Sequence, residues 1–317
     1  MRRPTAQDTV RDGTGPGAPL PGLREIADGV YVYEQLPGGW CLNNAGLIAS
    51  GGQSALIDTA ATEKRARHLG QETERVVPGG PDVVVNTHFH GDHVFGNSRF
   101  TPRATLIAHE RTRSDMAKSG FGLCGLWPDV DWGDLDLALP DETFQGTMTI
   151  PIGGLAVELI SVGPAHTRGD VVAWVPARKV LFTGDVAWSG VSPYILMGSL
   201  EGSLSTIKLL RELKPETVVC GHGPVGGPEV LDMTESYLHW VRQIARDGLR
   251  SGLPPLTAAR TAKLGPFSDL VDPERLVGNL HRAYAEAEGI APGEPVDVLT
   301  SFREMVDLNG GLPTCSA

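Results

Sequence analysis

From Leu23 onward the chain alternates short apolar runs with glycine-rich turns. Residues 30–33, 45–49 and 54–58 read as strands of a meander, and 81–86 and 104–108 as two further β-branched strands. The second half repeats the pattern at 155–160, 171–175, 179–182 and 217–220. Helical periodicity appears at 61–77 and 201–213, and beyond Pro228 it takes over, at 230–246, near 257–264, at 273–286 and at 296–308. Two strand-rich halves with helices between them fit an α/β αββα sandwich followed by a C-terminal helical extension. The expected division is a disordered tail over 1–22, rich in Gly and Pro, a metal-binding domain over 23–250 and the extension over 251–317. Residues 119–145 fit neither period. Such a segment, with Trp127 and Trp132, is either a lid holding a flat substrate or a satellite hydrophobic cluster.

With 317 residues and 41% apolar content the chain can bury a substantial core. Its formal charge of −11, without a basic cluster, argues against nucleic acid. An initial Met-Arg-Arg-Pro is not followed by the apolar run of a secretory signal, and no stretch is apolar enough to span a membrane. The four cysteines lack paired spacing, which fits reduced thiols in the cytoplasm.

The chemistry concentrates where the 81–86 strand ends, in Thr87-His88-Phe89-His90-Gly91-Asp92-His93. Imidazoles and a carboxylate without thiolates suit a hard or borderline cation such as Zn²⁺. On nearly extended chain His88 and His90 can face one side, leaving Asp92 and His93 for a second centre. Three further singletons, His166, Asp185 and His222, each follow an expected strand. The order H-x-H-x-D-H, His, Asp, His resembles the metallo-β-lactamase superfamily over about residues 24–228. The resemblance implies one metal held by His88, His90 and His166, a second held by Asp92, His93 and His222, and Asp185 bridging them. It also implies that Asp58 supports the metal loops, where an ordinary strand-end cap is the alternative. Two Zn²⁺ per chain are therefore expected. Such a pair can activate water against an ester, amide or thioester, or stabilise an enolate for carbon–carbon bond formation, and the ligands alone do not choose between these.

Further segments narrow the resemblance. Residues 38–41, 125–128, 131–133, 184–193 and 309–315 look like those of aromatic polyketide cyclases of the actinorhodin second-ring type. This implies intramolecular aldol condensation and dehydration of a bicyclic polyketide, with thioester hydrolysis from an acyl carrier protein. Asp92 and Asp185 are then the catalytic carboxylates, with Asp92 as proton relay, and Trp40, Trp127, Trp132 and Trp188 are candidates for the substrate walls. Arg99, Arg103, Arg111 and Arg113 are candidates for a carrier-binding patch, and a homo-oligomer is compatible with the sequence. One alternative is a stand-alone thioesterase or small-ester hydrolase similar to glyoxalase II, and another is an iron-dependent oxidoreductase of the same superfamily. The C-terminal Leu312-Pro313-Thr314-Cys315 is either a tail folded over the site or a frayed end.

Overall fold

The structure, a computed structural model, describes residues 20–317, so most of the expected tail lies outside the described residues. The first half forms β1 (Leu23–Ala27), β2 (Val30–Tyr33), β3 (Ala45–Ser50), β4 (Gln53–Ile57), α1 (Glu63–Val76), β5 (Val83–Asn86), α2 (Gly91–Val94), β6 (Thr105–His109), α3 (Glu110–Ser119) and β7 (Glu142–Phe144). The second forms β8 (Thr147–Ile152), β9 (Leu155–Ser161), β10 (Val171–Val175), β11 (Val180–Gly184), α4 (Leu200–Glu212), β12 (Thr217–Cys220), α5 (Glu229–Arg250), α6 (Pro255–Thr261), α7 (Arg275–Ala287) and α8 (Val298–Asn309). A seven-stranded sheet runs β1 to β7 in chain order, and a five-stranded sheet runs β12-β11-β10-β9-β8. The pairs β4·β5, β5·β6, β6·β7 and β11·β12 are parallel, with α1, α3 and α4 among the connections.

Alternation along each strand sorts side chains into layers. Val30, Val32, Ile48 and Ile57 of the first sheet meet Val157, Leu159, Val171 and Phe182 of the second in one dry core. Gly46 permits this approach, because a Cβ there would stand 2.2 Å from the Phe182 ring. The opposite faces bury Tyr33, Leu47 and Leu56 against Leu69 of α1, and Val172, Leu181 and Val218 against Ile207 and Leu210 of α4 and Leu231 of α5. This is the expected αββα layering. Three strands escaped the sequence reading: β1, β7 and β8. The first is half exposed and the other two carry exposed, polar-rich positions, so their pairing partners rather than their own pattern make them strands.

The boundary expected at residue 251 falls between helices that share a core. Tyr237, Leu238 and Val241 of α5 pack with Ala258 of α6, Val277 and Leu280 of α7 and Met305 of α8, together with Trp188 and Tyr194 from the segment after β11. Helical spacing puts Arg275, Asn279 and Arg282 on one face of α7, and they bind that segment through its backbone. Arg275 Nη1 donates to Ser192 O, Asn279 Nδ2 to Pro193 O and Arg282 Nε to Leu196 O, at 3.3, 2.7 and 2.9 Å. Among the described residues no helix is long and apolar enough to cross a membrane.

After α8, Gly310 turns the chain in the left-handed region, and the last residues run back across the fold. Buried Trp127 donates from Nε1 to Pro313 O at 2.7 Å, Arg65 Nη2 to Ser316 O at 2.7 Å, and Ser316 N to Trp40 O at 3.2 Å. The C-terminus is thus a strap, not a frayed end. Deleting residues 313–317 leaves the buried Trp127 N–H without an acceptor. It is expected to lower unfolding stability by about 1–3 kcal/mol, read from the urea midpoint. An unchanged midpoint would mean that the strap contributes nothing.

Candidate metal centre

The seven residues singled out by their order meet at one edge of the sandwich, beyond the carboxyl ends of the strands that carry them. The loop after β5 presents His88, His90, Asp92 and His93, with α2 starting at Gly91 so that Asp92 and His93 turn back toward the sheets. Asp185 follows β11 and His222 follows β12, while His166 lies on the loop between β9 and β10. Gly221 makes room for this meeting, since a Cβ there would stand 1.9 Å from Asp185 Oδ1.

The donor atoms fall into two groups, His88, His90, His166 and Asp185, and Asp92, His93 and His222, each group's ligand atoms within 4.8 Å of one another. Asp185 joins them. Its Oδ2 lies 3.4, 3.5 and 3.8 Å from Nε2 of His166, His222 and His88, and its Oδ1 lies 3.2 Å from His93 Nε2. Asp92 Oδ2 is 3.2 Å from His222 Nε2. Ligands bound tetrahedrally at about 2.0–2.1 Å stand roughly 3.3 Å apart, so these separations suit atoms sharing a cation.

The outward nitrogens orient the rings. His93 Nδ1 meets Asp58 Oδ2 at 2.8 Å, His222 Nδ1 meets Gly38 O at 2.9 Å, and His166 Nδ1 meets Tyr194 O. A ring nitrogen facing a carbonyl or carboxylate carries the proton, which leaves the Nε2 lone pair pointing inward. Asp58 also accepts from Thr87 N and Thr87 Oγ1, both at 2.7 Å, and so fixes the start of the histidine loop. Among the described residues, His88 Nε2, His93 Nε2 and Asp185 Oδ1 are buried without a hydrogen-bond partner.

Charge makes the same point. Asp58, Asp92 and Asp185 are buried within one cluster, at 2%, 7% and 4% exposure. Burial raises the Asp185 carboxyl, yet His222 and His93 hold it well below the usual range; Asp92 is likewise lowered against its burial by His93 and His222. Against their own burial, Asp185 and Asp58 push His93 well up, and Asp185 raises His222 to about 9. His90, where burial and His166 dominate, falls to about 3. A carboxylate set of this density needs positive charge beside it, and the inward lone pairs and orphaned donors fit divalent cations.

Beside these groups opens a cavity of about 80 Å³ with Trp40, Trp188, Leu123, Leu126, Tyr194 and Phe302 in its walls. Of the four candidate tryptophans, Trp40 and Trp188 line it. Trp127 and Trp132 do not: Trp127 is 3% exposed within a cluster with Cys41 and Ala61, and Trp132 turns its N–H to Trp127 O at 3.1 Å. The irregular 119–145 segment therefore reaches the cavity through Leu123 and Leu126 instead. Arg99, Arg103, Arg111 and Arg113 do not line it either. His109 caps α3 by accepting from Arg111 N.

Arg275 was missed, because an arginine in an amphipathic helix reads as surface. It is 1% exposed and stands between two indoles, 4.2 Å from the Trp40 ring and 4.8 Å from that of Trp188, which in turn stacks on His222.

Comparison with known proteins agrees with this fold. The sequence model of the Metallo-beta-lactamase superfamily matches residues 38–222. A metallo-beta-lactamase type 2 of Bacteroides fragilis is 22% identical over 228 residues, 68% of this chain and 85% of the relative. A hydroxyacylglutathione hydrolase of Synechococcus sp. (strain JA-3-3Ab) is 28% identical over 261 residues, 80% of this chain and 90% of the relative. Among solved structures, the metallo-beta-lactamase from Pontibacter korlensis superposes with a TM-score of 0.58 at 23% identity, covering 68% of this chain and 98% of its own.

If Asp58 supports the centre rather than merely ending β4, Asp58→Ala lowers zinc affinity about 10–100-fold in competition with a chromophoric chelator. Unchanged affinity in a folded variant would reduce Asp58 to a strand cap.

Proposed function

The chain belongs to the metallo-β-lactamase superfamily, and from that premise we propose that it is a dinuclear metal-dependent hydrolase of acyl thioesters or small esters. The observation that carries this reading is the complete seven-residue donor set around Asp185, opening onto an apolar cavity. The similarity to a hydroxyacylglutathione hydrolase over 80% of the chain supports the thioester class. His88, His90 and His166 would hold one ion and Asp92, His93 and His222 the other, with Asp185 between them. An all-His/Asp set favours zinc. Two cations held there would supply Lewis acidity toward a carbonyl and would lower the pKa of water to about 7.

The chain's own residues do the rest. Asp92 borders the cavity, and on loosening from the ion its carboxylate would be placed to accept a proton from water entering there and to return it to the leaving group. Trp40, Trp188, Tyr194 and Phe302 press on the acyl part and exclude bulk water, which strengthens every charge interaction inside. Asp58, Gly38 and Tyr194 hold the imidazoles in one tautomer and orientation through turnover.

A second reading, cyclisation of an aromatic polyketide with thioester release, has one observation in its favour. Residues from the widely spaced segments behind that resemblance gather around this cavity: Trp40, Cys41, Leu126 and Trp188 line it, and the strap at 313–316 braces Trp40 and Trp127. An enolate formed at the same centre would need the same carboxylates and flat walls.

Mass spectrometry of the products decides between the readings. Metal-replete protein is given an acyl glutathione thioester and a bicyclic polyketide thioester, beside an Asp185→Ala control. Free thiol and acid, lost in the control, are the expected outcome, and a ring-closed, dehydrated product would move the assignment to the cyclase. Absence of both in folded, metal-replete protein would overturn the proposal.

A further inference from the structure

The central cavity, at about 80 Å³, is smaller than the range of roughly 300–1,000 Å³ in which ligand sites fall. A second cavity of about 290 Å³ adjoins it, and the two share Met197 and Val298 as a common wall. Met197 belongs to the site itself, with its Sδ 3.4 Å from His90 Nε2. Together the two cavities reach the lower end of that range.

The second cavity differs in chemistry from the first. Its lining carries Lys118 of α3, Arg168 two residues after His166, and Arg282 of α7, against one carboxylate, Asp115. Asp115 is already engaged by Arg168, with Nε–Oδ2 at 3.2 Å. Arg282 is fully buried, yet among the described residues its hydrogen bonds go to two neutral carbonyls, Leu196 O at 2.9 Å and Glu294 O at 2.8 Å, and its Nη1 has no partner there. The carboxylates of Glu286 and Glu294 act on it without accepting from Nη1, and the Glu286 oxygens accept from the N–H groups of Leu200 and Glu201. A buried guanidinium with a free donor is costly unless something anionic meets it.

We propose that this second cavity binds an anionic group, a carboxylate or a phosphate, at the end of the substrate remote from the reacting carbonyl. Arg282, buried in the wall, supplies the inner positive charge, and Lys118 and Arg168 stand at the mouth. The connecting chain passes Met197 and Val298 to reach the centre, so the substrate class is an elongated acyl compound whose thiol or alcohol part carries negative charge. The position of the reacting carbonyl rests on the hydrolase reading, whereas the anion site does not.

Calorimetric titration tests it without turnover, using two matched pairs: N-acetyl-S-methylglutathione against its diethyl ester, and S-methyl-4′-phosphopantetheine against S-methylpantetheine. The anionic member of at least one pair is expected to bind at least about tenfold tighter than its neutral twin, the ratio of one charge-assisted hydrogen bond. The pair that discriminates identifies the source as carboxylate or phosphate. Arg282→Met is expected to remove most of the preference. Because Arg282 also braces the 192–196 segment, a surface double variant, Lys118→Glu with Arg168→Gln, reads the mouth alone and is expected to lower the preference at least about threefold. Equal binding within both pairs, or a preference undiminished in the double variant, would overturn the site. Protein that discriminates but cleaves no thioester keeps the anion site and loses the hydrolase reading; cleavage of neutral and charged thioesters alike does the reverse.

Discussion

Three carboxylates and four imidazoles are buried together where the two sheets end, with His90 half-buried beside them, and this density of charge is the constraint on which the rest depends. The cost of burying Asp58, Asp92 and Asp185 can be met by protons on His93 and His222 or by cations among the inward lone pairs. A proton on His93 would pair its Nε2 with Asp185 Oδ1, 3.2 Å away, but would leave His88 Nε2 without a partner among the described residues. Cations would satisfy all three. The surrounding architecture serves this arrangement: parallel strands deliver their carboxyl ends to one edge, Gly221 clears space for Asp185, and backbone carbonyls lock the outward nitrogens.

The C-terminal helices complete the site. Through Arg275, Asn279 and Arg282, one face of α7 grips the segment that brings Trp188, Tyr194 and Met197 to the cavities. The strap after α8 braces the other wall at Trp40, and Trp127 outside it. Residues far apart in the chain thus determine one opening. Its two compartments, an aromatic one beside the donors and a cationic one behind Met197, describe an elongated ligand with an apolar and an anionic end.

Much of this was legible in the sequence. The strands over 30–33, 45–50, 53–57, 83–86, 105–109, 155–161, 171–175, 180–184 and 217–220 lie where apolar alternation put them, and the seven donors converge as their order implied. Local signals suffice there, because a strand facing a core repeats every two residues and a ligand loop concentrates rare side chains. What was missed depends on long-range packing. Trp127 looks like a substrate wall until its N–H is seen to meet Pro313, and β7 and β8 become strands only beside their partners. Arg275 and Arg282 sit at helix positions that ordinarily face solvent, and only the 192–196 segment and the cavities explain their burial.

The central claim, that the seven donors hold two cations, is tested most directly by elemental analysis of the purified full chain beside Asp185→Ala. Protein grown with zinc and dialysed against metal-free buffer is predicted to retain about two ions per chain, and the folded variant to lose at least one. Folded wild-type protein that keeps none, and whose melting temperature does not rise when zinc is added, would contradict the account.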